Sequence, residues 1–227
     1  MKPNSVPDST AMSSILEAAV RDMHLTIYMD DLRAFELFAS ELKKWNRKIN
    51  LTALTTGEEI AIKHIVDSLV FAGKVRDGEC VLDIGSGAGF PAIPTKITRP
   101  EVFVVSIDAV EKKILFQRHV ARLLGLHGFE ALHVRAERLP EIYPRRFDVI
   151  TSRAFSSLKQ FVALAAPLLS EKGRLVAMKG PAACGEMQAA EEGLRKLGFE
   201  ISDIYSYGLP LNMGNRNLIT IIPREAA

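Results

Sequence analysis

The sequence predicts an α/β protein in which a helical N-terminal segment precedes a mostly parallel, seven-stranded sheet. From residue 80 onward, short β-branched runs alternate with longer stretches of helical periodicity, as in strands connected by helices. The strand runs are almost continuously apolar, which indicates that helices cover both faces of the sheet. The seven runs are VLDI (81–84), VFVVSI (102–107), FEALHV (129–134), FDVITS (147–152), GRLVAMK (173–179), FEISDIYSY (199–207) and NLITII (217–222).

Helical periodicity marks the connections at 111–124, 158–168 and 185–197. The last two strands are joined by YGLPLNMGNR, which carries no helical pattern, so one of them should run antiparallel to its neighbours. The sheet is therefore predicted to end in a hairpin.

The N-terminal part of the chain carries helical spacing and no strand-like alternation. One apolar stripe contains Leu32, Phe35, Phe38, Leu42 and Trp45, and a second one lies at 62–69. Three regions are predicted: a disordered polar tail at 1–12, a helical subdomain at 13–74 and the α/β domain at 75–227.

Composition excludes several classes of protein. The chain has 227 residues, of which 48% are hydrophobic and 25% charged, so a sizeable core is expected, and its net charge of +2 does not by itself argue for nucleic acid. Cys80 and Cys184 are too far apart for a metal-ligand pattern or a disulfide scaffold. No apolar run approaches the ~20 residues of a membrane span, and a cytoplasmic protein without a metal is predicted.

Three glycines in five positions follow Asp83 and the first strand, in the turn Gly85-Ser86-Gly87-Ala88-Gly89. Glycine adopts positive φ angles and has no Cβ atom, so a ligand can approach the main chain closely. Pro91 then suits the first turn of a helix. Because the turn lies at the carboxyl edge of a parallel sheet, it is predicted to bind a ligand there.

The glycine spacing distinguishes between ligands. A dinucleotide turn has G-x-G-x-x-G and a P-loop continues with Lys-Ser/Thr, whereas this chain has G-x-G-x-G followed by Phe90-Pro91. An acidic residue before G-x-G-x-G resembles the S-adenosylmethionine (SAM) motif of class I methyltransferases. Asp83 would order the loop and face the amino end of the methionyl group. A tight turn that binds nothing is the alternative.

The next two strand ends favour a nucleoside ligand. Asp108 ends the second strand, where a carboxylate accepts hydrogen bonds from ribose hydroxyls, and it can also cap the following helix. The backbone of Ala136 and the side chain of Glu137 follow the third strand, where methyltransferases of this class hold the adenine. Together these features predict SAM as cofactor and the Rossmann-like class I SAM-methyltransferase fold with a helical N-terminal cap.

The residues after the fourth strand bear on the methyl acceptor. Enzymes that methylate exocyclic amines place Asn/Asp-Pro-Pro-aromatic there, whereas this chain has SRAF at 152–155. A pyrimidine-C5 enzyme needs a cysteine nucleophile; Cys80 opens the first strand at the wrong edge, and Cys184 is interpreted as a helix-entry residue. An acceptor with a ring lone pair, such as purine N7, needs neither the Asn/Asp-Pro-Pro-aromatic tetrapeptide nor a cysteine nucleophile.

Six motifs together resemble one family, the glucose-inhibited division protein B family of bacterial 16S ribosomal RNA (rRNA) guanine-N7 methyltransferases. They are KWNRKINLTAL (44–54), KHIVDSL (63–69), DIGSGAGFPAIP (83–94), SRAF (152–155), MKG (178–180) and GNRNLITI (214–221). The resemblance extends over residues 32–223. It implies methylation of N7 of guanine 527, in the 530 loop, with SAM as donor. The SAM-contact positions that it implies are Gly85, Phe90, Ala136, Glu137 and Arg153.

The chain departs from the family pattern at two positions. Arg138 stands where an acidic residue is common, and Asn217 follows Arg216 where a basic residue is common. Neither position touches the glycine turn, so both departures are expected to affect RNA contacts, including those of Arg216, rather than the reaction.

Candidate RNA-binding residues lie in two places. The first group comes directly after the apolar stripe that ends at Trp45, and the second lies within the apolar stripe at 62–69. Basic and amide side chains in the first group can hold phosphate and read a base edge. His64 and Asp67, three residues apart on one helix face, can bind each other or RNA. The residues are Asn46, Arg47, Lys48, Asn50, His64 and Asp67.

Two residues at the ends of strands four and five are predicted to be catalytic. Arg153 would orient the methionyl carboxylate or a guanine oxygen, and Lys179 would contact phosphate or a base edge. Phe155 either stacks on a base flipped out of the RNA or packs in the core.

Two other functions fit the same sequence. One is a SAM-dependent methyltransferase acting on a small molecule or a protein side chain. The other is a non-catalytic RNA-binding module that retains SAM. The favoured partner is 16S rRNA, in the small ribosomal subunit or an assembly intermediate, bound by a monomeric enzyme.

Overall fold

The computed structural model describes residues 9–143, 146–153, 155, 157–181 and 183–224; within them, the side chains of 9–11, 183–186, 188 and 189 are not described. Residues 1–8, most of the tail predicted to be disordered, lie outside the described part. The first helix, α1, begins at Ser9, whereas the helical subdomain was predicted to begin at residue 13.

The sheet has seven strands, as predicted. They are β1 (Cys80–Ile84), β2 (Phe103–Asp108), β3 (Phe129–His133), β4 (Phe147–Ser152), β5 (Leu169–Lys179), β6 (Phe199–Gly208) and β7 (Asn215–Pro223). Their order is β3-β2-β1-β4-β5-β7-β6. The first five strands are parallel, and β7 pairs antiparallel with both β5 and β6, which confirms the terminal hairpin.

Alternation along the strands supplies both faces of the sheet with apolar side chains. Val81 and Val104 belong to one buried cluster, whereas the next residues, Leu82 and Val105, belong to another on the opposite face. Because successive side chains of a strand point to opposite faces, each strand contributes to two cores. Helices cover both.

The helices are α1 (Ser9–Asp22), α2 (Met29–Asn46), α3 (Gly57–Glu59), α4 (Asp67–Ala72), α5 (Ala92–Thr98), α6 (Glu111–Leu123), α7 (Leu158–Ala165) and α8 (Ala183–Lys196). The helical subdomain does not have a core of its own. Its stripe residues Phe35, Phe38 and Leu42 share one apolar cluster with Phe90 and Phe116, so the N-terminal helices are packed directly on the glycine turn and α6.

A π-helical segment, Ile60–Val66, joins α3 to α4. Thr56 caps this composite helix, since its hydroxyl accepts a hydrogen bond from the Glu59 amide at 3.1 Å. Segments of π-helix are frequent at functional sites because they leave main-chain groups outside the regular pattern. His64 lies in this segment. Among the described residues, no helix is long and apolar enough to cross a bilayer.

Candidate functional site at the carboxyl edge of the sheet

The glycines of the turn share one backbone feature, and two of them differ in their surroundings. All have positive φ, at 73° for Gly85, 59° for Gly87 and 91° for Gly89. A Cβ atom on Gly89 would lie 2.5 Å from Ile93 Cδ1, so this glycine allows α5 to pack against the turn. A Cβ atom on Gly87 would meet nothing within 4 Å. The space beside Gly87 is therefore open, which leaves room for a ligand near the main chain.

Asp83 lies beneath the turn and is fully buried. Its Oδ2 accepts a hydrogen bond from the Ala92 amide at 3.2 Å, while Oδ1 has no hydrogen-bond partner among the described residues. Burial raises the pKa of Asp83 well above its usual range. The carboxyl group thus holds the start of α5, in agreement with its predicted loop-ordering role. Its contact with the methionyl amine stays a prediction.

Substituting Asp83→Asn tests that contact through charge alone. Because the folded-state pKa is raised, the ligand-free wild-type protein binds more protons folded than unfolded, and it loses stability as pH rises above ~4 toward the folded pKa. The asparagine variant should lack this component of the pH dependence of Tm. We expect it to bind SAM about tenfold more weakly, as measured by calorimetry at pH 8. An unchanged SAM affinity would show that Asp83 only orders the loop.

Asp108 connects the second strand to the glycine turn. Its Oδ2 accepts from the Gly87 amide at 3.0 Å and its Oδ1 from the Val110 amide at 2.8 Å, so it orders the loop that leads into α6, whose N-cap residue is Val110. A carboxylate has about four acceptor sites, and each oxygen therefore keeps capacity for a ligand hydroxyl. The predicted capping role is wrong, because the N-cap residue of α6 is Val110 and it has no side-chain cap; the ribose contact stays a prediction.

Gln117 of α6 was missed by the sequence analysis. Its fully buried amide donates to Ser86 Oγ at 2.8 Å and to the Gly87 carbonyl at 2.9 Å, and it accepts from Ser106 Oγ at 2.6 Å. Ser86 is consequently occupied by protein contacts and holds the turn in place. The one signal in the sequence was a polar residue within the buried stripe of an amphipathic helix.

A cavity of about 280 Å³ lies where β1, β2 and β3 end. Its lining includes Gly85, Asp108, Ala136, Glu137 and Phe155. Ile107, Val134 and Leu164 add an apolar wall, and the two carboxylates offer acceptors. Apolar walls with a few convergent acceptors fit a nucleoside that carries hydroxyl groups. The structure thus brings together four of the predicted cofactor residues at the ends of three neighbouring strands. The other six predicted cofactor residues are not among the described residues that line this cavity: Asp83, Ser86, Gly87, Gly89, Phe90 and Arg153.

Phe90 is placed differently from the other implied SAM contacts. Its ring is buried, stacks on His64 with a centroid distance of 4.4 Å and lies 4.9 Å from the ring of Phe38. The side chain therefore belongs to the interface with the helical subdomain.

Arg153, at the end of β4, contacts the helical subdomain. Its Nη1 lies 3.3 Å from Asp67 Oδ2 and 3.5 Å from the Lys63 carbonyl, and its Nη2 donates to His64 Nδ1 at 3.1 Å. The guanidinium carbon lies 5.7 Å from the centroid of the Phe90 ring. Arg153 thereby connects the sheet edge, the π-helical segment and the glycine turn.

His64 is neutral at physiological pH. Burial and the charge of Arg153 lower its pKa to about 3. Since a guanidinium only donates, His64 Nδ1 must accept, and the ring proton is on Nε2, 2.8 Å from Thr52 Oγ1. The ring is 8% exposed and both nitrogens have protein partners, so this structure uses His64 to position Arg153 rather than to contact RNA.

Asp67 also receives contacts from the terminal hairpin of β6 and β7. Besides Arg153, it accepts a 2.7 Å hydrogen bond from the Tyr207 hydroxyl on β6, and its Oδ1 lies 3.9 Å from Arg216 Nε on β7. Burial, reinforced by the Asp67 charge, raises the pKa of Tyr207 far above its usual range, so the hydroxyl stays a donor. The side chains of Arg153, His64 and Asp67 form a cluster. The hairpin of β6 and β7 adds Tyr207 and Arg216 to it.

Lys179 and Phe155 are joined through the backbone. Lys179 Nζ donates to the Phe155 carbonyl at 2.7 Å, which fixes the loop after β4. The Phe155 ring packs against Phe161 at 5.6 Å between centroids, and the residue lines the nucleoside cavity. The geometry thus favours the core-packing alternative for Phe155.

A second cavity, of about 410 Å³, adjoins the cluster. Its basic lining comes from Lys63, Arg153, Lys179 and Arg216, and Asp67 is the one carboxylate among the described residues that line it. Such a lining suits an anionic or electron-rich acceptor molecule.

The predicted RNA-binding residues after Trp45 divide into two kinds. The Asn46 amide group is used internally, since it donates to the Thr52 carbonyl at 2.9 Å and accepts from the amides of Leu51 and Thr52. Arg47, Lys48 and Asn50 are exposed. Asn46 therefore shapes the 46–52 loop, while its neighbours remain accessible.

The sequence is similar to that of known proteins over most of its length. Residues 31–218 match the family model described as rRNA small subunit methyltransferase G. Proteins named ribosomal RNA small subunit methyltransferase G from Geotalea uraniireducens and Geobacter sulfurreducens are 49% and 47% identical to this chain. Each match covers 91% of this chain and 94% or 95% of the relative.

A solved structure supports the fold independently. A SAM-dependent methyltransferase from Aquifex aeolicus superposes with a TM-score of 0.57 at 17% identity, over 81% of this chain and 98% of that one. The predicted class I methyltransferase fold is confirmed. On the sequence match over most of its length, the chain belongs to the rRNA small subunit methyltransferase G family.

Proposed function

We propose that this chain transfers the methyl group of SAM to N7 of guanine 527 in the 530 loop of 16S rRNA. It is an enzyme of the SAM-dependent methyltransferase class, and small-subunit rRNA is its substrate. The choice of the atom and the nucleotide follows from the family resemblance of its motifs and from the chemistry of the site.

The observation that carries the proposal is the placement of two cavities on either side of one short loop. Phe155 lines the nucleoside cavity, and Arg153, two residues earlier, lines the basic cavity. A donor and an acceptor held in these cavities would meet at the end of β4. Methyl transfer depends on this alignment, since holding two reactants in the right geometry can contribute about 7–11 kcal/mol to lowering the barrier.

The residues of the basic cavity suit guanine. SAM supplies a methyl group on a cationic sulfur, which an acceptor lone pair displaces in line. Arg153 and Lys179 present N–H donors to guanine O6 or a nearby phosphate, and Arg153 is held in place by Asp67 and His64. Guanine N7 carries no proton, so the reaction needs no general base.

The cysteine route to a pyrimidine product is disfavoured. Cys80 opens β1 at the amino edge of the sheet, away from both cavities, and burial raises the pKa of its thiol to about 11. A thiol with such a pKa is not a thiolate nucleophile at neutral pH. The side chain of Cys184 lies outside the described residues.

The decisive experiment uses 16S rRNA that lacks this modification. We expect radiolabelled methyl transfer from SAM to protein-free rRNA or to the small subunit, abolished by ribonuclease and mapped to guanine 527 by chain cleavage specific for N7-methylguanosine. Comparing both substrates decides between naked RNA and a particle or assembly intermediate.

The rival functions predict other outcomes. Label that survives ribonuclease indicates a small-molecule or protein acceptor, and RNA binding without any label indicates a non-catalytic module. A monomer acting in the cytoplasm is proposed with this function, and sedimentation of the purified protein tests the oligomeric state.

A further inference from the structure

A groove of about 470 Å³ lies between the end of α2 and α6, outside the two cavities of the site. Its lining includes Lys44, Trp45, Lys48, Lys112, Leu115 and His119. Leu115 is 47% exposed, and Trp45 packs against Phe116 beneath it. The groove thus combines an apolar wall with several cationic side chains.

The groove opens at the same edge of the sheet as the nucleoside cavity. The helix α6 begins at Glu111, three residues after β2 ends at Asp108, so Lys112 lies in its first turn. The neighbouring Lys113 Nζ is 3.7 Å from Asp108 Oδ2, which itself lines the nucleoside cavity. A molecule in the groove would therefore approach the site from the α6 side.

The groove and the basic cavity are linked by shared lining residues through an intermediate cavity. It shares Lys44 with a cavity of about 600 Å³ that Lys43, Arg47 and Thr52 also line. That cavity shares Leu54 with the basic cavity of Arg153. Among the described residues that line the three cavities, Asp67 is the one carboxylate. We call this succession of cavities the basic track.

One carboxylate lies just behind the groove. Glu41 accepts from His119 Nε2 at 2.8 Å and from Lys44 Nζ at 3.1 Å. Although burial opposes its ionisation, these two hydrogen bonds lower the pKa of Glu41. The charge of Glu41 is thus balanced by His119 and Lys44, which both line the groove. Lys48 and Lys112 have no carboxylate within ion-pair distance among the described residues.

We propose that the groove binds single-stranded rRNA that flanks the methylated nucleotide, so that the RNA follows the basic track from α6 to Arg153. This rests on the proposed function and adds a second contact region to it. Single-stranded nucleic acid is held by cationic side chains on phosphates and by apolar or aromatic surface against bases, and the groove offers both. Lys112, Leu115 and His119 thereby acquire a role in substrate binding.

The test is charge reversal at Lys112. We expect Lys112→Glu to raise the KM for a long 16S rRNA fragment about tenfold, with the effect in KM rather than kcat. The slope of log Kd against log salt concentration should fall in magnitude by about 1, because one phosphate contact is lost. Lys172→Glu is the matched control, since Lys172 is exposed near the start of β5, at the opposite edge of the sheet.

The possible outcomes distinguish a failure of the RNA-binding role proposed for the groove from a failure of the proposed methyl transfer. If the wild-type protein methylates no RNA, the proposed function fails and the groove's role fails with it. If it methylates RNA but Lys112→Glu behaves like Lys172→Glu, the proposal that the groove binds RNA is wrong and the proposed function is unaffected. A defect seen only on ribosomal particles, and absent on protein-free RNA, would mean that the groove meets a protein, which also overturns the proposal.

Discussion

Replacing Arg153 by alanine is expected to reduce methyl transfer by about 100-fold or more, measured as kcat with saturating SAM and RNA. The side chain lies between the two cavities and is held by three contacts, to Asp67, His64 and the Lys63 carbonyl. Without it the acceptor loses its nearest guanidinium donors. The loop after β4 also loses its connection to the helical subdomain.

The same substitution should lower stability by about 3 kcal/mol, because it leaves buried Asp67 without its closest cationic partner. The Tyr207 hydrogen bond and the more distant Arg216 retain part of the stabilisation. Chemical denaturation measures this loss. It must be determined alongside activity, so that unfolding is not mistaken for a catalytic defect.

Arg153→Lys separates the two effects. Lysine keeps the positive charge near Asp67, so most of the stability should return, but it lacks the planar fork that reaches Asp67 and His64 together. We expect methyl transfer to stay at least about tenfold below that of the wild type. Wild-type activity in this variant would show that charge alone suffices and that the positioning by His64 is unimportant.

The second large effect is expected at Gly87. An alanine there would place a methyl group in the open space beside the turn. Gly87 is not among the described residues that line the nucleoside cavity, but its amide donates to Asp108, which lines it. We expect SAM affinity to fall about tenfold or more in calorimetry. The backbone cost of alanine at positive φ, about 1–2 kcal/mol, should appear separately as a lower Tm.

Gly125 supplies the matched control. Its φ is 62°, close to the 59° of Gly87, and a Cβ atom there also meets nothing within 4 Å. Gly125→Ala should therefore cost similar stability and leave SAM affinity unchanged. If both variants bind SAM like the wild type, the space beside Gly87 does not hold the ligand.

The parts of the structure that depend on local sequence were predictable. The seven strands follow from apolar runs, and the glycine turn follows from residues adjacent in sequence. The cavity at the ends of β1, β2 and β3 could be predicted because parallel strands place their carboxyl ends at one edge. Asp108, Ala136 and Glu137 were found in this way.

Contacts between distant segments could not be predicted. His64 and Asp67 were recognised as candidates, yet nothing local indicates that Arg153, some 86 to 89 residues later, binds both. The π-helical turn that presents His64 has no signature in the sequence. Asn46 also looked available for RNA, because its bonds to the 51–52 backbone form only when the loop folds back.

The hydrogen bond between Tyr207 and Asp67 joins residues 140 positions apart, and it comes from the terminal hairpin. A nascent polypeptide that has left the exit tunnel only as far as β5 has the strand ends that line the nucleoside cavity, but it lacks this tether and Arg216, which lines the basic cavity. The enzyme would thus stay immature until translation has passed β6 and β7. Co-translational fragments ending before Tyr207 should accordingly be catalytically silent.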